Sequence, residues 1–171
     1  MENRLRSPGF TLVELIVVML VLGILAAVFI PSSNNPAIIL STQAEQFAAD
    51  VRYVQSLAMT QGWSGVSPAV ARRYRINYSA TNYSITDTTG VAVPHPSGTP
   101  GSIAFAGGVS ISPFPAPILV NNVIAFDGLG TPYLDPTANT PLAAMATISM
   151  VAGGTTRAIQ IFPGTGMVRV Q

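Results

Sequence analysis

The 171-residue chain has no cysteine, no lysine, one histidine and one tryptophan, and only 9% of its residues are charged. Without cysteine there is no disulfide framework, iron–sulfur site, thiol nucleophile or thiolate zinc site, so packing alone must hold the fold. Without lysine no glycine-rich segment can act as a P-loop. The single histidine, His95, stands between Pro94 and Pro96 with no metal-ligand or triad spacing around it, and is expected on a surface loop. Asp87, Asp127 and Asp135 lack the dense oxygen-ligand spacing of a calcium loop, and no serine sits in a G-x-S-x-G elbow. The sequence therefore points to no catalytic residue, metal or cofactor. Its basic residues are eight arginines against seven acids; beyond Gly9 the balance is six to six, so bulk attraction to nucleic acid is not indicated.

What the chain has in abundance is one apolar run. From Phe10 to Ile30 there are 21 residues, and Glu14 is the only ionisable one. A helix of that length reaches about 31 Å at about 1.5 Å per residue, the thickness of a bilayer's hydrocarbon core. Arg4 and Arg6 precede the run, and arginine marks the cytoplasmic side, so the expected topology is N-terminus inside and the remainder exported. A carboxylate in such a helix costs on the order of 3 kcal/mol unless something neutralises it, so Glu14 requires a partner. An ordinary signal peptide would carry a small-residue cleavage site after the run, but residues 31–36 have no Ala-x-Ala pattern; the small residue at a junction is Gly9, ahead of it.

The heptapeptide Gly9-Phe10-Thr11-Leu12-Val13-Glu14-Leu15 resembles the type IV prepilin processing signature. The resemblance implies cleavage after Gly9 by a membrane prepilin peptidase, N-methylation of the new terminal Phe10, and retention of Glu14 for assembly. Pro31 matches a proline that pilins commonly carry. The implied partners are the peptidase, other pilins or pseudopilins in a helical filament, an inner-membrane assembly platform and the lipid bilayer.

After Pro31, Asn35 reads as an N-cap and Pro36 as the first helical position of a second helix. Leu40, Ala44, Phe47, Val51, Val54 and Ala58 step by alternating fours and threes, one buried stripe, while Gln43, Glu45, Asp50 and Arg52 are expected to face elsewhere. Gln61-Gly62 ends the pattern. Beyond Trp63, short β-branched and aromatic runs alternate with glycine, proline, threonine and serine, an all-β composition. Strands are expected at 72–78, with Tyr74, Ile76 and Tyr78 on one face, and at 83–87 after a hairpin turn. Others are expected at 102–106, 109–112, 118–126, 146–151, 156–162 and 167–170. The proline-rich stretches 93–100 and 113–117 and the connection 131–141 read as loops or edges.

The globular part resembles the GspH/FimT family of minor pseudopilins and minor pilins. The resemblance rests on residues 48–58, on Ile124-Ala125-Phe126-Asp127-Gly128-Leu129-Gly130, and on 146–148 and 157–161 running into Thr165-Gly166. It implies a long N-terminal helix packed against a β-sandwich. The expected fold is thus α+β and pilin-like: leader 1–9, membrane-spanning and assembly helix 10–30, amphipathic helix 31–62, and an antiparallel periplasmic domain 63–171. DNA-uptake relatives carry a C-terminal Gly-Arg-x-Arg element; here Gly166-Met167-Val168-Arg169 replaces its first arginine by methionine. Arg73 and Arg75, with Arg169, are the candidate DNA contacts, and the default reading of this basic strip is a solvated strand face. The expected function is a structural minor pseudopilin of a type II secretion system near the pseudopilus tip, with a minor type IV pilin in pilus assembly or DNA uptake as the alternative.

Overall fold

The computed structural model describes residues 11–29, 35–61, 74–87, 89–96, 101–112, 122–135 and 139–171. They divide into two compact units, Met1–Ser33 and Asn34–Gln171. The first contains helix α1, Leu12–Phe29, 18 residues. Thr11 starts it: its carbonyl accepts Leu15 N–H at 3.2 Å and its Oγ1 accepts Glu14 N–H at 3.2 Å, an N-cap with the acid in the first turn. At about 1.5 Å per residue the helix is about 27 Å long. Among the described residues no helix is long and apolar enough to cross a membrane. Phe10 and Ile30, the ends of the expected 21-residue span, and Pro31 lie outside the described residues.

The second unit begins with α2, Pro36–Gln61. Asn35 Oδ1 accepts Ala37 N–H at 3.0 Å, the expected cap immediately before Pro36. Gly62, the expected stop, lies outside the described residues. The stripe Leu40, Ala44, Phe47, Val51, Val54 and Ala58 is completely buried. Fully burying a side chain of Leu, Val or Phe size contributes about 1.5–3 kcal/mol. Phe47 meets Tyr83, Phe105 and Tyr78 edge-on, with ring centroids at 5.0, 6.0 and 6.2 Å.

Nine strands follow: β1 Tyr74–Tyr78, β2 Asn82–Thr86, β3 Ser102–Ala104, β4 Ser110–Ile111, β5 Val123–Phe126, β6 Pro132–Tyr133, β7 Ala146–Ala152, β8 Thr155–Ile161 and β9 Val168–Val170. They form two antiparallel sheets ordered β3-β2-β1-β5-β6 and β4-β7-β8-β9. Helix α2 packs against β1 and β5 of the first and β7, β8 and β9 of the second, so one apolar core is walled by both sheets and the helix. Strand β1 buries Tyr74, Ile76 and Tyr78 on its inner face as its alternation requires. Gly153 and Gly154, both at positive φ (55° and 79°), make the two-residue turn that pairs Ala152 with Thr155.

The strand expectations stand within a few residues, with one omission. The stretch 131–141, read as a connection, contains β6, which pairs Phe126 with Pro132 and Ala125 with Tyr133. Proline is tolerated there because β6 is a sheet edge. Residues 72–73, 113–117 and 118–121 lie outside the described residues.

Candidate functional site

Three groups of residues bear on function. At the N-terminus, Gly9 and Phe10 lie outside the described residues, while Glu14 stands in the first turn of α1. An acid at that position complements the exposed N–H groups and positive end of the helix dipole. Apart from Glu14, Gly23 and the N-capping Thr11, this segment is a continuous run of large and small apolar residues. Within its unit the described side chains, Leu12 to Ala26, are all exposed. A helix apolar on every side is one that other helices or lipid must cover.

The second group is the arginines. Arg73 lies outside the described residues. Arg75 is on β1 of the five-stranded sheet, where its Nε donates to Thr86 Oγ1 at 2.9 Å, an oxygen that also accepts Asn77 Nδ2 at 2.9 Å. Arg169 is exposed on β9 of the other sheet, paired with Gln160. Arg75 and Arg169 thus belong to different sheets, and one is tied to its neighbouring strand. The residues aligned with the DNA-binding element have a packing explanation. Gly166 has φ +63°, and a Cβ built there would lie 2.4 Å from Gln55 Nε2 and 2.7 Å from the Gly130 carbonyl oxygen. Gln55 Nε2 donates to Gly130 O at 2.9 Å and Thr165 O at 2.8 Å, so one amide on α2 ties the β5–β6 turn to the β8–β9 turn.

The third group was not apparent in the sequence. Asp50 does not face away from the core: it is 3% exposed. It lies three residues after Phe47, about 60° round the helix, on the flank of the buried stripe rather than opposite it. His95, expected on the surface, is 8% exposed, and its Nε2 sits 2.8 Å from Asp50 Oδ1. Tyr83 donates its hydroxyl to Asp50 Oδ2, and Gln46 Nε2 donates to both carboxylate oxygens at 3.2 and 3.3 Å. Burial first, then the hydrogen bond to Asp50 and its negative charge, push the Tyr83 phenol far above its ordinary range. Tyr53 completes the surroundings: its ring meets His95 edge-on at 6.5 Å and its hydroxyl donates to Pro94 O at 3.2 Å. The only sequence signals were an acid on the flank of the stripe and a histidine braced by prolines; 45 positions separate them.

The remaining aspartates are committed to turns. Asp87 Oδ1 accepts Thr89 N, Thr89 Oγ1 and Val91 N at 2.8, 2.6 and 3.0 Å. Asp127 Oδ1 accepts Leu129 N and Thr131 N, both at 2.9 Å, and its Oδ2 accepts the Tyr133 hydroxyl at 2.9 Å. Asp135 Oδ2 accepts Asn139 N and Thr140 N at 3.0 and 2.7 Å. Among the described residues no group of three or more His, Cys, Asp or Glu side chains is placed to hold a metal ion.

Residues 4–30 match the family model of the prokaryotic N-terminal methylation motif. The matched segment contains the Gly9–Phe10 junction, Glu14 and the whole of α1. No curated protein and no solved structure matches the chain. The motif is that of a type IV pilin-like or pseudopilin protein, which is processed by a prepilin peptidase and assembled with other pilins.

Proposed function

We propose that the chain is a non-catalytic, structural minor pseudopilin of the GspH/FimT kind, anchored in the inner membrane through residues 10–30 and assembled near the tip of a type II secretion pseudopilus. The observation that carries the reading is the methylation-motif match over residues 4–30, which joins a small residue at the junction, an apolar terminus and an acid in the first helical turn. Cleavage after Gly9 leaves a cationic amine on Phe10, and in a bundle of identical apolar helices a neighbour's amine neutralises Glu14. A buried ion left without its partner costs about 3–5 kcal/mol, which makes the pairing a condition of entry into the filament. The packing of α2 against two antiparallel sheets, with the apolar α1 standing as a separate unit, agrees with an anchored globular subunit.

A clean deletion scored in parallel for enzyme secretion, surface motility and DNA uptake tests the assignment. Loss of secretion alone supports it. Loss of motility with secretion intact makes the chain a minor type IV pilin instead. For the DNA-uptake reading, affinity must fall steeply with salt, and removing one phosphate-contacting arginine must flatten the slope by about one unit. Met167 in place of the first arginine of the element, and the placement of Arg75 and Arg169 on different sheets, argue against it.

A further inference from the structure

The filament reading makes no use of the buried polar cluster. Residues 93–96 form a strap across α2. One end is fixed by Val93 N–H to Ile85 O at 3.0 Å, and the middle by Tyr53 Oη to Pro94 O at 3.2 Å. The rest of the hold is polar and buried: His95 Nε2 on Asp50 Oδ1 at 2.8 Å. Prolines on both sides of His95 restrict the backbone, so little chain entropy opposes its insertion.

We propose that His95 and Asp50 form a proton-operated latch, which clamps the strap to α2 when His95 is protonated and loosens it when His95 is neutral. The groups facing the imidazole are Asp50 and Tyr53 from α2 and, through Asp50, Gln46 from α2 and Tyr83 from β2. The other charged side chains of α2, Glu45 and Arg52, are exposed, and Arg52 is spent on the Val168 carbonyl at 3.0 Å. Gln46 is neutral at every pH, and Tyr83 keeps its proton because its phenol is pushed upward. Histidine is the side-chain type that changes charge between about pH 5 and 8, and the chain has only one. The charge of the cluster is therefore set by one proton. With it, the buried carboxylate faces a cation; without it, three neutral donors must hold an uncompensated buried charge. The clamp is strongest on the acid side and weakens as pH rises.

The test uses the full-length chain in detergent micelles. Hydrogen exchange of the Val93 amide, corrected for the intrinsic pH dependence of exchange, is measured at about pH 5.5 and about pH 8. The expected result is a protection factor about fivefold higher at the acid end, the difference between a charge-assisted and a neutral hydrogen bond. In His95→Gln protection is expected to be flat with pH. Equal protection at both ends in the unaltered chain, or the same pH slope in His95→Gln, overturns the proposal. Should His95→Gln fail to fold, the unaltered chain still decides. Its one imidazole gives one NMR titration, which the backbone resonances of Val93 and Asp50 should follow with the same midpoint; a ring that titrates while they stay still excludes the latch.

Discussion

Gly166→Ala tests the account of the glycine-rich turns most directly. Two costs add. An L-residue at φ +63° costs about 1–2 kcal/mol relative to glycine. The new methyl also falls 2.7 Å from Gly130 O and 3.1 Å from Phe126 Cε1, and 2.4 Å from Gln55 Nε2. The Gln55 amide can swing away, but only by giving up its hydrogen bonds to Gly130 O and Thr165 O; the Gly130 carbonyl is backbone and cannot yield cheaply. Overpacking of this kind costs about 1–3 kcal/mol, so the sum is about 2–5 kcal/mol. Urea unfolding of the detergent-solubilised chain should show a lower midpoint with an unchanged slope. Gln55→Ala removes one of the three collisions, so the double variant should be less destabilised than the two single changes added together. A Gly166→Ala chain within about 0.5 kcal/mol of the parent, or strict additivity with Gln55→Ala, would refute the reasoning. The outcome also bears on function: any assembly defect on changing Gly166 should track stability, with no effect on nucleic-acid affinity.

Glu14→Val should be inserted and cleaved but enter filaments poorly, as read by sheared-filament immunoblots; normal incorporation removes the role given to Glu14. Gly9→Val should abolish processing, and the intact mass of the native protein should show loss of residues 1–9 plus one methyl group; a mature terminus near Ser32 would mean an ordinary signal peptide. Phe47→Ala should cost about 3–5 kcal/mol in unfolding free energy, because the ring is fully buried among Tyr78, Tyr83 and Phe105. The Thr89 hydroxyl, followed by the backbone amides of residues 89–91, holds the Asp87 carboxyl below its ordinary range. Since the folded value is depressed, the turn's contribution is present above the ordinary carboxylate range and lost as pH falls through the lowered one; Asp87→Asn should remove that acid-side dependence without altering stability at neutral pH relative to pH 5.

Helix α2 was legible to its first residue because three independent signals coincide there: the Asn35 cap, Pro36 at the first position and a stripe every three to four residues. Strands β1 and β2 were legible from their alternation and the turn between them. What could not be read is non-local. Nothing in the order of the strands says that β4 leaves its neighbours to join β7, or that a two-residue edge such as β6 pairs at all. The glycines at 130 and 166 looked like family markers; their necessity appears only when Gln55, 75 and 110 residues distant, is placed between them. Asp50 and His95 were assigned to solvent because local pattern treats each as polar and alone. Only the fold makes them a pair.

The contact between Arg52 Nη2 and the Val168 carbonyl spans 116 positions, and β9 is the last strand of the chain. This has a consequence for timing on the ribosome. Helix α2 is the first part of its unit to be made, yet the sheet that closes over it is not complete until residue 170. At about 5–20 residues per second, the interval between Arg52 and Val168 is roughly 6–23 s. For that time Leu40, Phe47, Val51 and Val54 have no permanent cover, and the nascent helix must be shielded by a chaperone, by the translocation machinery or by transient contact with the emerging strands. A stop codon only a few residues early would leave this exposure without an end, so truncation at β9 should be met by proteolysis rather than by a shortened but folded domain.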